Sequence, residues 1–345
     1  MKIAIITDTH YGFKKGNKIF HDYFEKFYSN IFFPYLKKNK IKTVIHLGDS
    51  FDSRKGIDYW SLRWAKENVY DKYLNLGISL YKIIGNHDIY YKNTNILNSP
   101  DYLLSNYSNI TTISNPQEIK IDNLSILMVP WITSENQDEV NELISKSSSS
   151  VVMGHLELNG FKVNSKMVSD HGYNPDIFNK FNKVFSGHYH TRSNNGKVYY
   201  LGNPYEMFWT DHNDLRGFTI FDTETLSHTH INNPYRLFEI VEYDEDNEDY
   251  NFSEYTDKIL KVIIKNKVDI KKYENFFDKL VSFSPHDIKV VETVQTLLTD
   301  VNVECDSSEN TLTLLEKYVD ESETSLNRDK IKRLITQIYQ NSYQV

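Results

Sequence analysis

Apolar residues fall in short runs that end repeatedly in Gly, Asp, Asn or His: Lys2 to Asp8, Lys42 to Asp49, Ile78 to His87, Val151 to His155 and Lys183 to His190. Runs of this length and composition predict buried strands. Between the early ones, Phe20 to Lys38 and Tyr59 to Leu76 carry helical periodicity, and alternating strand and helix predict a sheet covered by helices. Later runs, Lys197 to Leu201, Gly217 to Asp222 and Thr229 to Asn232, follow without long helices and predict a second, more antiparallel sheet. The expected architecture is α/β: a β-sandwich flanked by helices, with functional residues at strand ends.

The pattern changes at Asn233 to Asn251, where Glu239, Glu242, Asp244, Glu245, Asp246, Glu248 and Asp249 crowd against one Arg236. Blocks of like charge repel and stay solvated, so this stretch predicts a boundary between a main domain, 1–235, and a smaller unit, 252–300. In that unit Lys258 to Lys265, Asp269 to Phe283 and Asp287 to Thr293 read as strand or helix, helix, strand, with a basic side from Lys258, Lys261, Lys265, Lys267, Lys271, Lys272 and Lys279. Residues 305–345 predict two amphipathic helices. In the second, Ile331, Leu334, Ile335, Ile338 and Tyr339 form one apolar stripe that needs a surface to cover. Tyr59 to Leu76 carries two apolar faces, Leu62, Ala65, Val69, Tyr73 and Leu76 on one and Trp60 and Trp64 on the other. A surface helix needs only one buried face, so the two indoles are expected to meet another subunit.

The 345 residues allow two domains and a tail. No run approaches the ~20 apolar residues of a membrane helix, and Met1 to Asp8 lacks the sections of an export signal, so a cytoplasmic location is expected. A single cysteine, Cys305, excludes an internal disulfide and a Cys-based zinc site, and leaves His, Asp and Asn to hold any metal. The net charge of -8 argues against a surface coated in phosphate contacts. That objection weakens because much of the acid is concentrated between 233 and 251.

Chemistry gathers at the strand ends. Asp8-Thr9-His10, Gly48-Asp49-Ser50-Phe51-Asp52, Gly85-Asn86-His87-Asp88, Gly154-His155 and Gly187-His188-Tyr189-His190 each combine a small residue with Asp, Asn or His. Each alone is a common loop, but in this order at the ends of apolar strands they form a specific series. Mixed imidazole, carboxylate and amide ligands suit borderline divalent ions such as Mn(II), Fe(II) or Zn(II). Two such ions ~3.5 to 4 Å apart can clamp the attacking and leaving oxygens of an in-line displacement at phosphorus, and Asp49 is the natural shared carboxylate. His46 reads as a packed core side chain and His171 as a surface-loop residue. Tyr11 and Tyr189 read as walls of the pocket or as stacking groups, and Arg54 and Lys55 as solvated charges or phosphate contacts.

The ordered series resembles the calcineurin-like metallophosphoesterase superfamily, and within it the SbcD and Mre-eleven-type DNA repair nucleases, the recombination endonuclease subunits of T-even phages among them. The likeness covers about residues 1 to 235 and includes Gly154-His155-Leu156-Glu157-Leu158-Asn159-Gly160, Ser186-Gly187-His188-Tyr189-His190-Thr191 and Arg216-Gly217-Phe218. The resemblance implies a four-layer α/β/β/α sandwich with a small α+β cap domain and C-terminal helices. It implies that Asp8, His10, Asp49 and His190 hold one ion, most simply Mn(II), and that Asp49, Asn86, His155 and His188 hold a second. His87 would protonate the leaving oxygen, with Asp52 as its orienting partner. It further implies a metal-dependent exonuclease and endonuclease acting on DNA, a homodimer through Trp60 and Trp64, and docking of the terminal helices onto an ABC-type ATPase of the SbcC or Rad-fifty kind. Two rival readings stand beside it: the same chemistry on small phosphate esters, and a non-catalytic scaffold for the ATPase.

Overall fold

The computed structural model describes residues 1–164, 167–247, 249–292, 319, 328 and 330–335, and the chain divides into two compact units, Met1–Arg236 and Leu237–Val345.

In the first unit the aliphatic runs become β1 (Lys2–Ile6), β2 (Thr43–His46), β3 (Ser79–Ile83), β4 (Ile110–Ile113), β5 (Gln117–Ile121), β6 (Leu124–Val129), β7 (Val151–His155), β8 (Lys183–Gly187), β9 (Ser193–Asn194), β10 (Val198–Tyr200), β11 (Gly217–Asp222) and β12 (His228–Asn232). One sheet has the order β12-β11-β1-β2-β3-β4 and the other β5-β6-β7-β8-β10-β9. They meet face to face. Ile3, Ile5, Ile45, Leu47 and Ile83 from the first sheet share one core with Ile126, Met128, Val151, Met153 and Phe185 from the second.

The outer faces are covered by helices, which completes four layers. On the first sheet an aromatic layer comes from Lys18–Phe27, its π-helical continuation Tyr28–Phe32, and Phe33–Lys38. There Phe32 meets Phe218 of β11 edge-on at 4.9 Å and Phe24 stacks on Tyr205 at 3.8 Å. On the second sheet Val140 and Ile144 of the helix Gln137–Lys146 pack with Leu127, Val129, Val152 and Val184.

Three expectations change. The late strands do not form a more antiparallel second sheet: β11 returns to the first sheet antiparallel to β1 and β12 pairs antiparallel with β11, while β10 lies parallel to β8 in the second. β11 is buried along nearly its whole length, so it takes an interior place between β1 and β12. Trp64 is not free to meet another subunit. It is buried against Tyr11, His21 and Phe24, with centroids 5.9, 5.0 and 6.5 Å away, and only Trp60 stays partly open, edge-on to His21 at 4.9 Å. The helix that carries them, Tyr59–Ala65, has two apolar faces because the helix Lys18–Phe27 covers the second. The π-helical turn Lys66–Tyr70 that follows brings Val69 and Tyr70 inward as neighbours.

The third change concerns the acidic boundary. β13 (Phe238–Asp244) runs through it and pairs in parallel with β14 (Ile259–Asn266), which pairs in parallel with β15 (Asp287–Glu292). Phe238, Val241 and Tyr243 are buried while Glu242 is exposed, so the charge count concealed an amphipathic strand. The helix Ile270–Ser282 links β14 to β15. Asp269 caps it, its carboxylate accepting from the Lys271 and Lys272 amides at 2.9 and 3.2 Å. Val241, Tyr243, Leu260, Val262, Ile264, Phe276 and Leu280 make this unit's core.

Of the C-terminal expectation, residues 330–335 are helical, with Ile331, Leu334 and Ile335 on that segment. Cys305, Ile338, Tyr339, residues 293–300 of the small unit and most of 305–345 lie outside the described residues. Among the described residues no helix is long and apolar enough to cross a membrane.

Candidate metal centre

β1, β2, β7 and β8 deliver their loops to one edge of the sandwich, where the chain bends sharply. Asp8, His10, Asp49 and His188 all adopt positive φ, at 52°, 44°, 56° and 86°. Non-glycine residues reach that region at a steric penalty, and such residues cluster at functional sites. Backbone hydrogen bonds lock the bends: Asp8 N donates to Gly48 O at 3.0 Å, and Thr9 N to Asp49 O at 2.9 Å. Gly48 and Gly85 permit the closest approaches, since a Cβ on the first would strike the His155 ring and on the second the Asp49 carboxylate.

Seven of the nine candidate residues form two adjoining groups. In one, ligand atoms of Asp8, His10 and His190 lie within 4.8 Å of one another, with His10 Nε2 and His190 Nε2 facing at 3.2 Å. In the other, Asp49, His155 and His188 converge likewise, and Asn86 Oδ1 lies 2.9 Å from both His155 Nε2 and His188 Nδ1. Asp49 joins them. Its Oδ2 is 3.9 Å from His10 Nε2 and 3.4 Å from His155 Nε2, while Oδ1 accepts the His87 amide at 2.7 Å.

The remaining two, His87 and Asp52, are adjacent but not paired as expected. The Asp52 carboxylate faces His10 Nδ1 at 3.3 Å, and His87 Nδ1 instead donates to the Asp52 main-chain carbonyl at 2.6 Å. The segment is held by a parallel bridge between Tyr11 and Phe51, with the Asp52 amide donating to Tyr11 O at 3.0 Å, so the Asp52 carbonyl meets His87 and its side chain meets His10. His87 therefore has its tautomer set by a peptide oxygen, leaving Nε2 for other partners. The His155 ring is oriented the same way, Nδ1 donating to Leu47 O at 2.7 Å.

Two supporting residues escaped the sequence reading of roles. Asp88, fully buried, accepts from the amides of Asp49 at 2.9 Å, Ser50 at 3.0 Å and Gly85 at 3.0 Å, stitching two loops together. Arg216, also buried, donates from Nη1 to the carbonyl of His190 and to Asn203 Oδ1, and from Nη2 to Asp211 at 3.0 Å and Asp214 at 2.9 Å. Both stood in quoted motifs, Asp88 after His87 and Arg216 before Gly217, but nothing in one sequence separates a scaffold carboxylate from a ligand. His46 is a core residue, beside Thr9 Oγ1 at 3.0 Å, and burial holds its pKa well below the ordinary value. His171 sits on an exposed loop beside Asp170.

The electrostatics suit cations. Burial pushes the Asp8 carboxyl up. Burial would do the same to Asp49, but the His155 charge and hydrogen bond, with His10 and His87, hold it well below the usual carboxylate range. Burial would lower His155, yet the charge and hydrogen bond of Asp49 outweigh it and raise the ring to about 9. Burial, then the charge of His10, keeps His190 well below its ordinary value, which favours a neutral ring with one nitrogen free to ligate. Carboxylate and imidazole donor atoms converge here within 4.8 Å, and a divalent cation among them would take the place of the proton that otherwise pairs His155 with Asp49. The groups Asp8, His10 and His190, and Asp49, His155 and His188, are therefore ones that could hold divalent metal.

Residues 1–192 match the calcineurin-like phosphoesterase family, and the chain belongs to it. It is a hydrolase acting on phosphodiester bonds, of a family that works with divalent metals. Exonuclease subunit 1 of Enterobacteria phage T4 is 35% identical to this chain over 314 residues, spanning 88% of the chain and 89% of that protein. Among solved structures, an archaeal phosphodiesterase aligns over 67% of this chain and 99% of its own with a TM-score of 0.36 and 17% identity. A dimetal phosphatase from Danio rerio aligns over 64% of this chain and 91% of its own, with a TM-score of 0.37 and 10% identity.

Proposed function

We propose that the chain is the nuclease subunit of a DNA recombination and repair complex, hydrolysing DNA with two divalent ions, Mn(II) in the first instance. The observation that carries this reading is the 35% identity to a phage exonuclease subunit along 88% of the chain. Chemically, the two bound ions would supply the positive charge that in-line displacement at phosphorus requires. Asp49, held through Oδ1 by the His87 amide, keeps Oδ2 between the two ligand groups. His87, pinned through its Nδ1–H, would in its imidazolium form present Nε2–H to donate a proton to the leaving sugar oxygen. Asp52 fixes the His10 ring from behind. Asp88 and Arg216 hold the loops on which these groups stand.

A subunit implies a partner, and an ABC-type ATPase of the SbcC or Rad-fifty kind meeting the C-terminal segment is the one we assign. A second copy is the other. Tyr59 and Tyr102, 91% and 70% exposed, line one apolar cavity close to the half-open Trp60, and a large exposed aromatic patch marks an interaction surface.

The deciding assay supplies labelled duplex DNA and a chromogenic phosphodiester, each with Mn(II) or Mg(II), with and without the ATPase. Mn(II)-dependent DNA cleavage is expected. Turnover of only the small ester would make the chain a small-molecule phosphodiesterase, and turnover of neither would make it a scaffold.

A further inference from the structure

Phe208 lies nearly parallel to the His190 ring, with centroids 6.1 Å apart and planes 24° off, and meets Phe13 edge-on at 5.1 Å. It keeps 44% of its surface open to solvent, although Tyr205, Glu206 and Met207 just before it are buried. A phenyl ring left that open withholds nearly half of its area from folding.

The main chain that carries the ring is nonetheless fixed. The amides of Met207 and Phe208 donate to Asp211 Oδ2 at 2.8 and 3.0 Å, and Asp211 Oδ1 accepts from Arg216 Nη2 at 3.0 Å. The same guanidinium donates through Nη1 to the carbonyl of His190. One buried cation therefore ties the main chain at Phe208 to the main chain at His190.

Exposed positive charge lies on the same rim. Lys14 Nζ sits 5.9 Å from the centroid of Phe13, the ring that Phe208 touches. Lys15 lines a cleft of about 250 Å³ with Tyr11, Asp52 and Ser53, and Asp52 in turn faces the His10 ring. Proteins grip single strands with this combination, an aromatic face for the base and cations for the phosphates.

We propose that Phe208 is a base-stacking residue: it takes the nucleobase next to the scissile phosphate and so sets the register in which a strand enters on the His190 side. The inference rests on the nuclease reading. It adds a contact to the base, whereas the metal centre addresses only phosphate.

The test compares an intact oligonucleotide with one that lacks the base beside the cut. Wild type, Phe208→Ala, Phe208→Leu and Phe208→Trp are measured for cleavage with Mn(II), and for equilibrium binding by fluorescence anisotropy in chelator. Wild type should prefer the intact strand by about tenfold, within the range one base-aromatic stack supplies. Phe208→Ala and Phe208→Leu should lose about that factor on the intact strand and almost nothing on the abasic one. Phe208→Trp should restore the preference, and Mn(II) affinity should be the same throughout.

Equal losses on both strands, or weakened Mn(II) binding by Phe208→Leu, would make the ring a shield for His190 and overturn the proposal. Should every protein turn over a chromogenic diester while leaving both oligonucleotides intact, the nuclease reading fails and the proposal with it. Cleavage without base preference in the wild type would sink the stacking role alone.

Discussion

The main-chain amide of Asp49 donates to Asp88 Oδ2 at 2.9 Å, so the carboxylate shared by the two ligand groups is aimed by a buried residue that belongs to neither. Asp88 accepts two further amides, of Ser50 and Gly85. Asp88→Ala leaves all three donors without an acceptor, at about 1 to 3 kcal/mol for each buried group, so the variant should be severely destabilised. Asp88→Asn retains one acceptor oxygen and should fold with a lower Tm and weaker Mn(II) binding. Thermal unfolding with a metal titration checks both, and an Asn variant matching the native protein in each would remove Asp88 from the support of the site.

Asp52 faces His10, not His87, with its carboxylate. Asp52→Asn is therefore expected to weaken metal binding by about 10- to 100-fold, the usual loss for a residue that orients a ligand, while the limb of the pH–rate profile due to His87 stays in place. Unchanged metal affinity with a displaced limb would mean that the side chain acts on His87 after all.

His87 stands outside the groups built on Asp8 and Asp49; its ring gathers instead with His10 and Asp52, and its amide donates to Asp49. His87→Ala should retain Mn(II) affinity and lose about 10²- to 10⁴-fold in single-turnover rate, the range for positioned acid catalysis. A variant cleaving at the native rate would exclude it as the proton donor.

Stability should fall in acid partly through His230, which is none of the candidate ligands. Burial, then the charge of Arg192, lowers this ring to about 3. The unfolded chain binds the proton near the ordinary value of 6.5 and the folded chain only near 3, so each step down between those values favours unfolding, by at most about 1.4 kcal/mol per pH unit. His230→Gln should therefore show a shallower loss than the native protein from pH 6.5 to about 3 in denaturant titrations. Parallel slopes would show that the ring titrates normally.

The strand ends were legible because chemistry and patterning coincide there: each aliphatic run stops at Gly, Asp, Asn or His, and only a sheet edge can gather positions as distant as Asp8 and His190. What the sequence did not reveal is which neighbour each group meets. Trp64 reads as a second exposed stripe until the helix Lys18–Phe27 is packed over it. Asp52 reads as the partner of His87 because a carboxylate near an imidazole suggests a pair, and a main-chain carbonyl leaves no trace in a sequence. β13 was hidden because its acids dominate a charge count while its buried residues, Phe238, Val241 and Tyr243, are few. Asp88 and Arg216 carry no local signature that separates a residue holding loops from one holding ions.

The central claim is that residues from Asp8 to His190 build two ion sites around one carboxylate. Isothermal titration of the metal-free protein with Mn(II), for the native chain and Asp49→Asn, tests it most directly. Two ions per native chain are expected, with both affinities reduced by tenfold or more in the variant. Native protein indifferent to Mn(II), or an Asn variant that binds two ions as tightly as the native chain, would contradict it.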